Sequence, residues 1–134
     1  MWTNKYLTGD DKVDGDHRKI FELVESILDL SAKDLSTQRD TKIKTVVDFL
    51  SEYIKTHFAS EDRLMREMNY PDIEQHRKEH ADLTSKVYKL REDFHTHGST
   101  LDLSLFINKF LIGWITTHIM DSDKKMINYY NNKK

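Results

Sequence analysis

Cysteine is absent from this chain of 134 residues, proline occurs once and glycine four times. Without cysteine there are no disulfides, no thiolate zinc sites and no cysteine-ligated iron–sulfur clusters, so any metal must be held by nitrogen and oxygen. With so few helix breakers, and with 37% hydrophobic against 33% charged residues, the composition favours long helices with polar outer faces over a sheet. No run approaches the ~18 apolar residues that a membrane helix needs, and Met1-Trp2-Thr3-Asn4-Lys5-Tyr6 lacks the apolar core of a signal peptide. The expectation is a cytoplasmic protein without a membrane partner. An excess of one charge is missing too: 21 basic and 23 acidic residues are spread along the chain and offer nucleic acid no continuous basic surface.

What is present is an amphipathic helical pattern, read four times. Residues 1–13 carry Trp2, Tyr6 and Gly9 without helical period and are expected to form an extended N-terminal arm. The three-and-four spacing of His17, Ile20, Phe21, Val24, Ile27 and Leu28 predicts a helix over roughly residues 14–33. A second, over about 37–68, starts from a cap at Ser36 or Thr37 and carries Val46, Leu50, Tyr53, Ile54, His57, Glu61 and Leu64. After a break at Asn69-Tyr70-Pro71 a third runs over about 72–97, with Ile73, His76, His80, Leu83, Val87, Leu90 and Phe94, and stops at Gly98. Ser99 or Thr100 caps a fourth, to about residue 130, carrying Leu103, Phe106, Phe110, Trp114, His118, Met126 and Ile127. Met65, Met68 and Met126 read as core filler, and Asn131-Asn132-Lys133-Lys134 as a frayed tail. The architecture is all-α: an up-down-up-down four-helix bundle forming one domain over residues 1–134.

The chemistry lies at one end of that bundle. His57 with Glu61, and His76 with His80, are pairs four apart, so each pair projects from one face of its helix. His17 is early in the first helix and His118 late in the fourth, so the topology brings all of them to the same end. A carboxylate follows His118, but spacing leaves its identity open. Asp121 is the regular partner at three residues, whereas the five-residue step to Asp123 turns a regular helix by about 140° and requires a local widening such as a π-turn. Five histidines and two carboxylates left unliganded in a core would cost several kcal/mol, a cost that metal removes. Seven ligands exceed the four of a closed zinc site; two irons sharing the carboxylates fit the nitrogen and oxygen donors. If both carboxylates and one hydroxide bridge, one metal has six ligands and the other five, with a position open for a small neutral molecule. Phe58, Trp114, Ile115, Ile20 and Phe21 lie within a turn of ligands and are candidates for an apolar pocket there. His95 and His97 read as helix-end residues, and Arg77, Lys78, Glu79, Lys86, Lys89 and Arg91 as a solvated face.

This set resembles the hemerythrin family, most nearly its single-domain bacterial members. The resemblance runs from Trp2, Tyr6, Gly9 and Asp14 before His17, through His57-x-x-x-Glu61 and His76-x-x-x-His80, to Trp114 before His118-x-x-x-x-Asp123. It selects Asp123 as the second bridge. It further implies that His76, His80 and His118 bind a six-coordinate iron, that His17 and His57 bind a five-coordinate one, and that Glu61 and Asp123 bridge them beside an oxo or hydroxo group. The implied activity is reversible dioxygen binding for storage, delivery or sensing, by a protein that is not an enzyme; oxidase or peroxidase side activity stays compatible with the site. One departure is Asp16, where many bacterial members are expected to have glutamine. The extra carboxylate either alters the local field or faces water.

Two other readings compete. A di-iron oxidase or peroxidase, acting on peroxide, nitric oxide or ferrous iron, would use the same metals. Its ferritin-like form repeats Glu-x-x-His on two helices, yet the chain shows that motif once, at Glu92–His95, remote from the cluster. A regulatory module is the third, but the sequence shows no output domain. Oligomeric state is not decided by any of these features, a monomer being the simpler expectation.

Overall fold

The computed structural model describes residues 2–34, 36–98 and 105–133, and among these no strand occurs. Four long helices make up the bundle: α1 (Asp11–Lys33), α2 (Arg39–Glu67), α3 (Ile73–His97) and α4, described over residues 105–133. The predicted cap at Ser99 or Thr100, and Leu103, lie outside the described residues.

α1 begins three residues earlier than the apolar spacing predicts because Asp10 caps it, its carboxylate accepting the Val13 N–H at 2.9 Å. Asp14 is thereby free for another task. Its buried carboxylate accepts from the Thr8 N–H and hydroxyl, both at 2.8 Å, and from the Gly9 N–H at 3.2 Å. Gly9 sits at φ 96°, a left-handed conformation that glycine adopts without strain. The arm so anchored carries a short 3-10 turn, Asn4–Tyr6, and lays Tyr6 flat on Phe21 with ring centroids 5.5 Å apart, Trp2 meeting the same ring edge-on. Phe21 therefore belongs to the arm contact.

The start of α2 differs from expectation. Asp34 takes the Ser36 N–H at 2.8 Å and pairs with Lys42, so the chain turns there and helix begins only at Arg39, without a side-chain cap. At the α2–α3 turn Asn69 adopts φ 50° and the Tyr70 N–H returns to the Met65 carbonyl at 2.9 Å, reversing the chain. α3 ends at Gly98, whose φ of 75° fits a glycine stop. The tail stays helical through Lys133, whose ammonium reaches the Met68 carbonyl at 3.2 Å and lies over the Tyr129 ring. That tie replaces the expected fraying.

α4 contains two π-helical segments, Ile107–Leu111 and Ile119–Asp123, separated by α-helical Ile112–His118 and followed by α-helical Lys124–Lys133. Ile107, Leu111, Ile115, Ile119, Asp123 and Ile127 are all buried, at a strict spacing of four. In a regular helix such a row drifts about 40° per step around the axis and leaves the core within a few turns. Each π-turn absorbs one extra residue, so two of them bring the mean to about four residues per turn and hold the row in line.

The larger apolar cluster, containing Phe21, Ile27, Leu50, Leu83 and Leu111, fills the bundle on one side of the histidines. A smaller one of Val13, Met65, Met68, Tyr70, Met126 and Ile127 closes the other. The polar cluster lies between two dry layers.

Candidate metal centre

Seven side chains from all four helices converge: His17 from α1, His57 and Glu61 from α2, His76 and His80 from α3, His118 and Asp123 from α4. All are buried. Of the two carboxylates that spacing left open, Asp121 is exposed, whereas Asp123 is buried among the histidines, turned inward by the π-helical Ile119–Asp123 segment.

The two carboxylates divide their oxygens between two groups of histidines. Glu61 Oε2 faces His57 Nε2 at 2.9 Å and His17 Nε2 at 3.8 Å, while Asp123 Oδ2 is 2.9 Å from His17 Nε2. On the other side Glu61 Oε1 lies 3.2 Å from His76 Nε2 and 3.1 Å from His80 Nε2, and Asp123 Oδ1 lies 3.1 Å from both His76 and His118 Nε2. The donors thus fall into a two-histidine half and a three-histidine half, each containing one oxygen of each carboxylate. Donors bonded at ~2.1 Å to one metal sit ~3 Å from their neighbours, the separation seen here.

His76 Nε2 and Glu61 Oε1 are within hydrogen-bonding geometry at 3.2 Å, but other short distances in the cluster are not matched by hydrogen bonds. Both ring nitrogens of His17, Glu61 Oε2 and both Asp123 oxygens are buried without a hydrogen-bond partner, although Asp123 Oδ2 and His17 Nε2 are 2.9 Å apart. Their lone pairs converge on shared points instead of on each other. Four of these atoms, all but His17 Nδ1 on the outer side of its ring, face the same centre, and leaving them unpaired is a cost that two cations between them remove. The donor set therefore fits two metal ions.

Charge organises the metal-free cluster in the same way. Burial opposes ionisation of Glu61, but His57, His76 and His80 outweigh it and hold its carboxyl well below the usual range. For Asp123, burial and the Glu61 charge both push upward, and His118 and His17 bring the carboxyl below its usual value. Burial drives His57 down; Glu61, Asp16 and Asp123 overcome that and raise it to about 10. His76, desolvated but held by Asp123 and Glu61, rises to about 9. His118 is raised against its burial chiefly by Asp123, whereas at His80 burial prevails and the imidazole is depressed.

The family model described as the hemerythrin HHE cation binding domain matches residues 8–130. The chain belongs to the hemerythrin family. Among curated hemerythrins it is 28% identical over 130 residues to the bacteriohemerythrin of Clostridium acetobutylicum, covering 95% of this chain and 98% of that one. With the bacteriohemerythrin of Methylococcus capsulatus it shares 29% identity over 111 residues, 83% of this chain and 80% of that one. Among solved structures, a hemerythrin point mutant superposes with TM-score 0.83 at 26% identity, covering 96% and 95% of the two chains. A wild-type hemerythrin gives 0.79 at 27% identity, covering 92% of each. These likenesses carry the four-helix bundle as well as the family.

Beside the two-histidine half is an apolar-walled cavity of about 20 Å³, enough for one molecule the size of water or dioxygen. Of the five pocket candidates, Ile20, Phe58, Trp114 and Ile115 line it, together with Ile119, with Ile54 and Leu83, which the sequence marks only as core, and with His17, His57, His118 and Asp123. Phe21 does not: one residue beyond Ile20, it points about 100° away, toward the arm. Phe58 stacks on His80 with centroids 3.7 Å apart and Trp114 on His118 at 4.6 Å. Trp114 and His118 also line an outer cleft of about 430 Å³ with Glu79, Lys109, Gly113 and Thr117, so the indole and the His118 imidazole together stand between the cavity and this cleft.

Two side chains carry more than the sequence reading gave them. Asp16 accepts from His57 Nδ1–H at 2.9 Å, and Glu79 accepts from His118 Nδ1–H at 2.8 Å and the Ser122 hydroxyl at 2.6 Å. Asp16 therefore does not simply face water, and Glu79 is not part of an ordinary solvated face. Its neighbours are also engaged: Arg77 pairs with Asp62 at 2.6 Å, Arg91 with Asp48 at 3.1 Å, and Lys86 lies over the Phe110 ring. His95 turns to Asp48 at 2.9 Å and His97 to the Asp93 carbonyl at 3.3 Å, both away from the cluster.

Proposed function

We propose that this chain binds dioxygen reversibly at a pair of non-haem irons, and serves oxygen storage, delivery or sensing. The observation that supports this most is the division of Glu61 and Asp123 between two sets of histidines, with their unpaired lone pairs aimed at two shared points. His17 and His57 would hold one iron and His76, His80 and His118 the other, with Glu61 and Asp123 bridging. The irons, when bound, supply the reversible electron transfer that dioxygen uptake requires.

The protein's own contribution is geometric and dielectric. Two histidines against three leave the His17–His57 half with fewer protein donors, and the small cavity is lined by both of those histidines but by only His118 of the other three. Ile20, Ile54, Ile115 and Phe58 keep it dry, and Trp114 and His118 close it toward the outer cleft. Its apolar lining offers a small neutral molecule space while giving water few partners. The cavity is too small for an organic substrate, which favours binding over turnover.

The test is iron per chain together with the visible spectrum of the reduced protein before air, after air and after oxygen is removed. Two irons and a band that appears with oxygen and disappears on its removal are expected. Irreversible bleaching or steady oxygen consumption would assign the site to oxidase chemistry, and absence of iron would overturn the reading.

A further inference from the structure

The carboxylates behind the proposed metal centre follow a common rule. Asp16 immediately precedes His17 on α1 and accepts from His57 on α2; Glu79 immediately precedes His80 on α3 and accepts from His118 on α4. In each helix pair, an acidic residue just before one ligand candidate reaches across to a ligand candidate on the next helix. A step of one residue turns about 100° around a helix, so when the histidine faces the centre its predecessor faces the adjacent helix. The arrangement occurs once in each half of the site.

We infer that Asp16 and Glu79 are positioning residues, one for each metal, which fix His57 and His118 with Nδ1 protonated and the Nε2 lone pair turned inward. This inference rests on the metal-centre reading above. A neutral imidazole carries one ring proton, and a carboxylate at Nδ1 claims it, leaving Nε2 as the metal donor. Each carboxylate is held in turn. Asp16 also accepts from the Tyr53 hydroxyl at 3.0 Å and the Lys12 ammonium at 2.9 Å; Glu79 accepts from Ser122 and from the Gln75 amide at 3.3 Å. Ser122 lies within the π-helical segment, so the turn that delivers Asp123 inward also secures Glu79.

The two halves are not equally supported. In the two-histidine half, His17 Nδ1 is buried without any partner, so His57 is the histidine that a side chain orients and Asp16 its orienting group. In the other half Glu79 orients one histidine of three. Loss of Asp16 therefore weakens its metal more than loss of Glu79 weakens the other.

The experiment is cobalt(II) binding to the full chain, in competition with a chelator, for wild type, Asp16→Ala, Asp16→Asn, Glu79→Ala and His57→Ala. Hyperfine-shifted imidazole N–H resonances and the melting of the metal-free forms are followed alongside. Wild type is expected to take two cobalt ions per chain. Asp16→Ala weakens one of them by about 100-fold and Glu79→Ala the other by about 10-fold, the span usual for groups behind metal ligands. Each variant loses or shifts one N–H resonance, and metal-free melting stays near that of wild type. Asp16→Asn keeps an acceptor oxygen and recovers most of the affinity. Wild-type cobalt binding in both alanine variants would overturn this inference while leaving the metal centre standing, and so would equal loss of both metals accompanied by loss of helix. Failure of wild type itself to bind cobalt, with His57→Ala indistinguishable from it, would overturn the metal centre and this inference together.

Discussion

Raising the pH should tighten metal binding steeply, because the metal-free cluster holds protons where the metal-bound one holds cations. His57, lifted to about 10, and His76, lifted to about 9, are both protonated near pH 7. Their partners Glu61 and Asp123 are ionised there, both being depressed, and contribute nothing to the slope. Each of the two imidazoles must release a proton to become a ligand. The overall constant for two metals is therefore expected to rise about 100-fold per pH unit, or about 10⁴-fold from pH 6.5 to 8.5, with His118 adding a smaller part. Stability of the metal-free fold runs the other way. Raised imidazoles stabilise it fully below the unfolded value near 6.5, and that contribution is lost as pH rises through about 9 for His76 and about 10 for His57. The metal-bound form has already given up those protons, so the gap in melting temperature between the two forms widens with pH. Cobalt(II) calorimetry in buffers of different protonation enthalpy counts the released protons directly. Fewer than one per chain at pH 7, or an affinity slope below tenfold per unit, would refute the charge pattern assigned to the cluster.

Three further outcomes follow from the geometry. His57→Ala removes one of two histidines from its half, so iron content should fall and the dioxygen-dependent visible band should vanish; a normal band at normal iron would refute the assignment. Trp114→Ala joins the 20 Å³ cavity to the outer cleft, so that band should decay faster in air, and urea melts should show a loss of about 2–3 kcal/mol, below the full-burial range because the indole is half-buried. Gly98→Ala forces a side chain into φ 75° with its Cβ 2.9 Å from Asp40 Oδ2, and a stability loss of at least about 1 kcal/mol is expected from the same melts.

Four apolar stripes, and histidines placed by topology at one bundle end, made the helices and the convergence of those side chains legible in the sequence. Asp123 was legible only through family resemblance, because a five-residue step is wrong for a regular helix. A signal was nevertheless present: Ile107, Leu111, Ile115, Ile119, Asp123 and Ile127 keep a strict period of four, which a regular helix cannot hold on one face. Asp16 and Glu79 were hidden for a different reason. Periodicity separates buried from exposed positions, whereas these residues sit at the boundary, half-buried, with their purpose set by the neighbouring helix. Phe21 lay on the right stripe, but the arm that claims its ring has no period from which its path could be read.

The two π-turns of α4 also determine where this protein can change length. Elsewhere in a packed helix, removing one residue rotates everything downstream by about 100° and turns a buried row outward. Within Ile119–Asp123 the same deletion can be absorbed by reverting to an α-turn, leaving Met126 and Ile127 on the core while changing the approach of the carboxylate. The segment that carries Asp123 is thus a place where a single-codon deletion is expected to spare the scaffold and alter the proposed site, separating heritable change in function from change in fold.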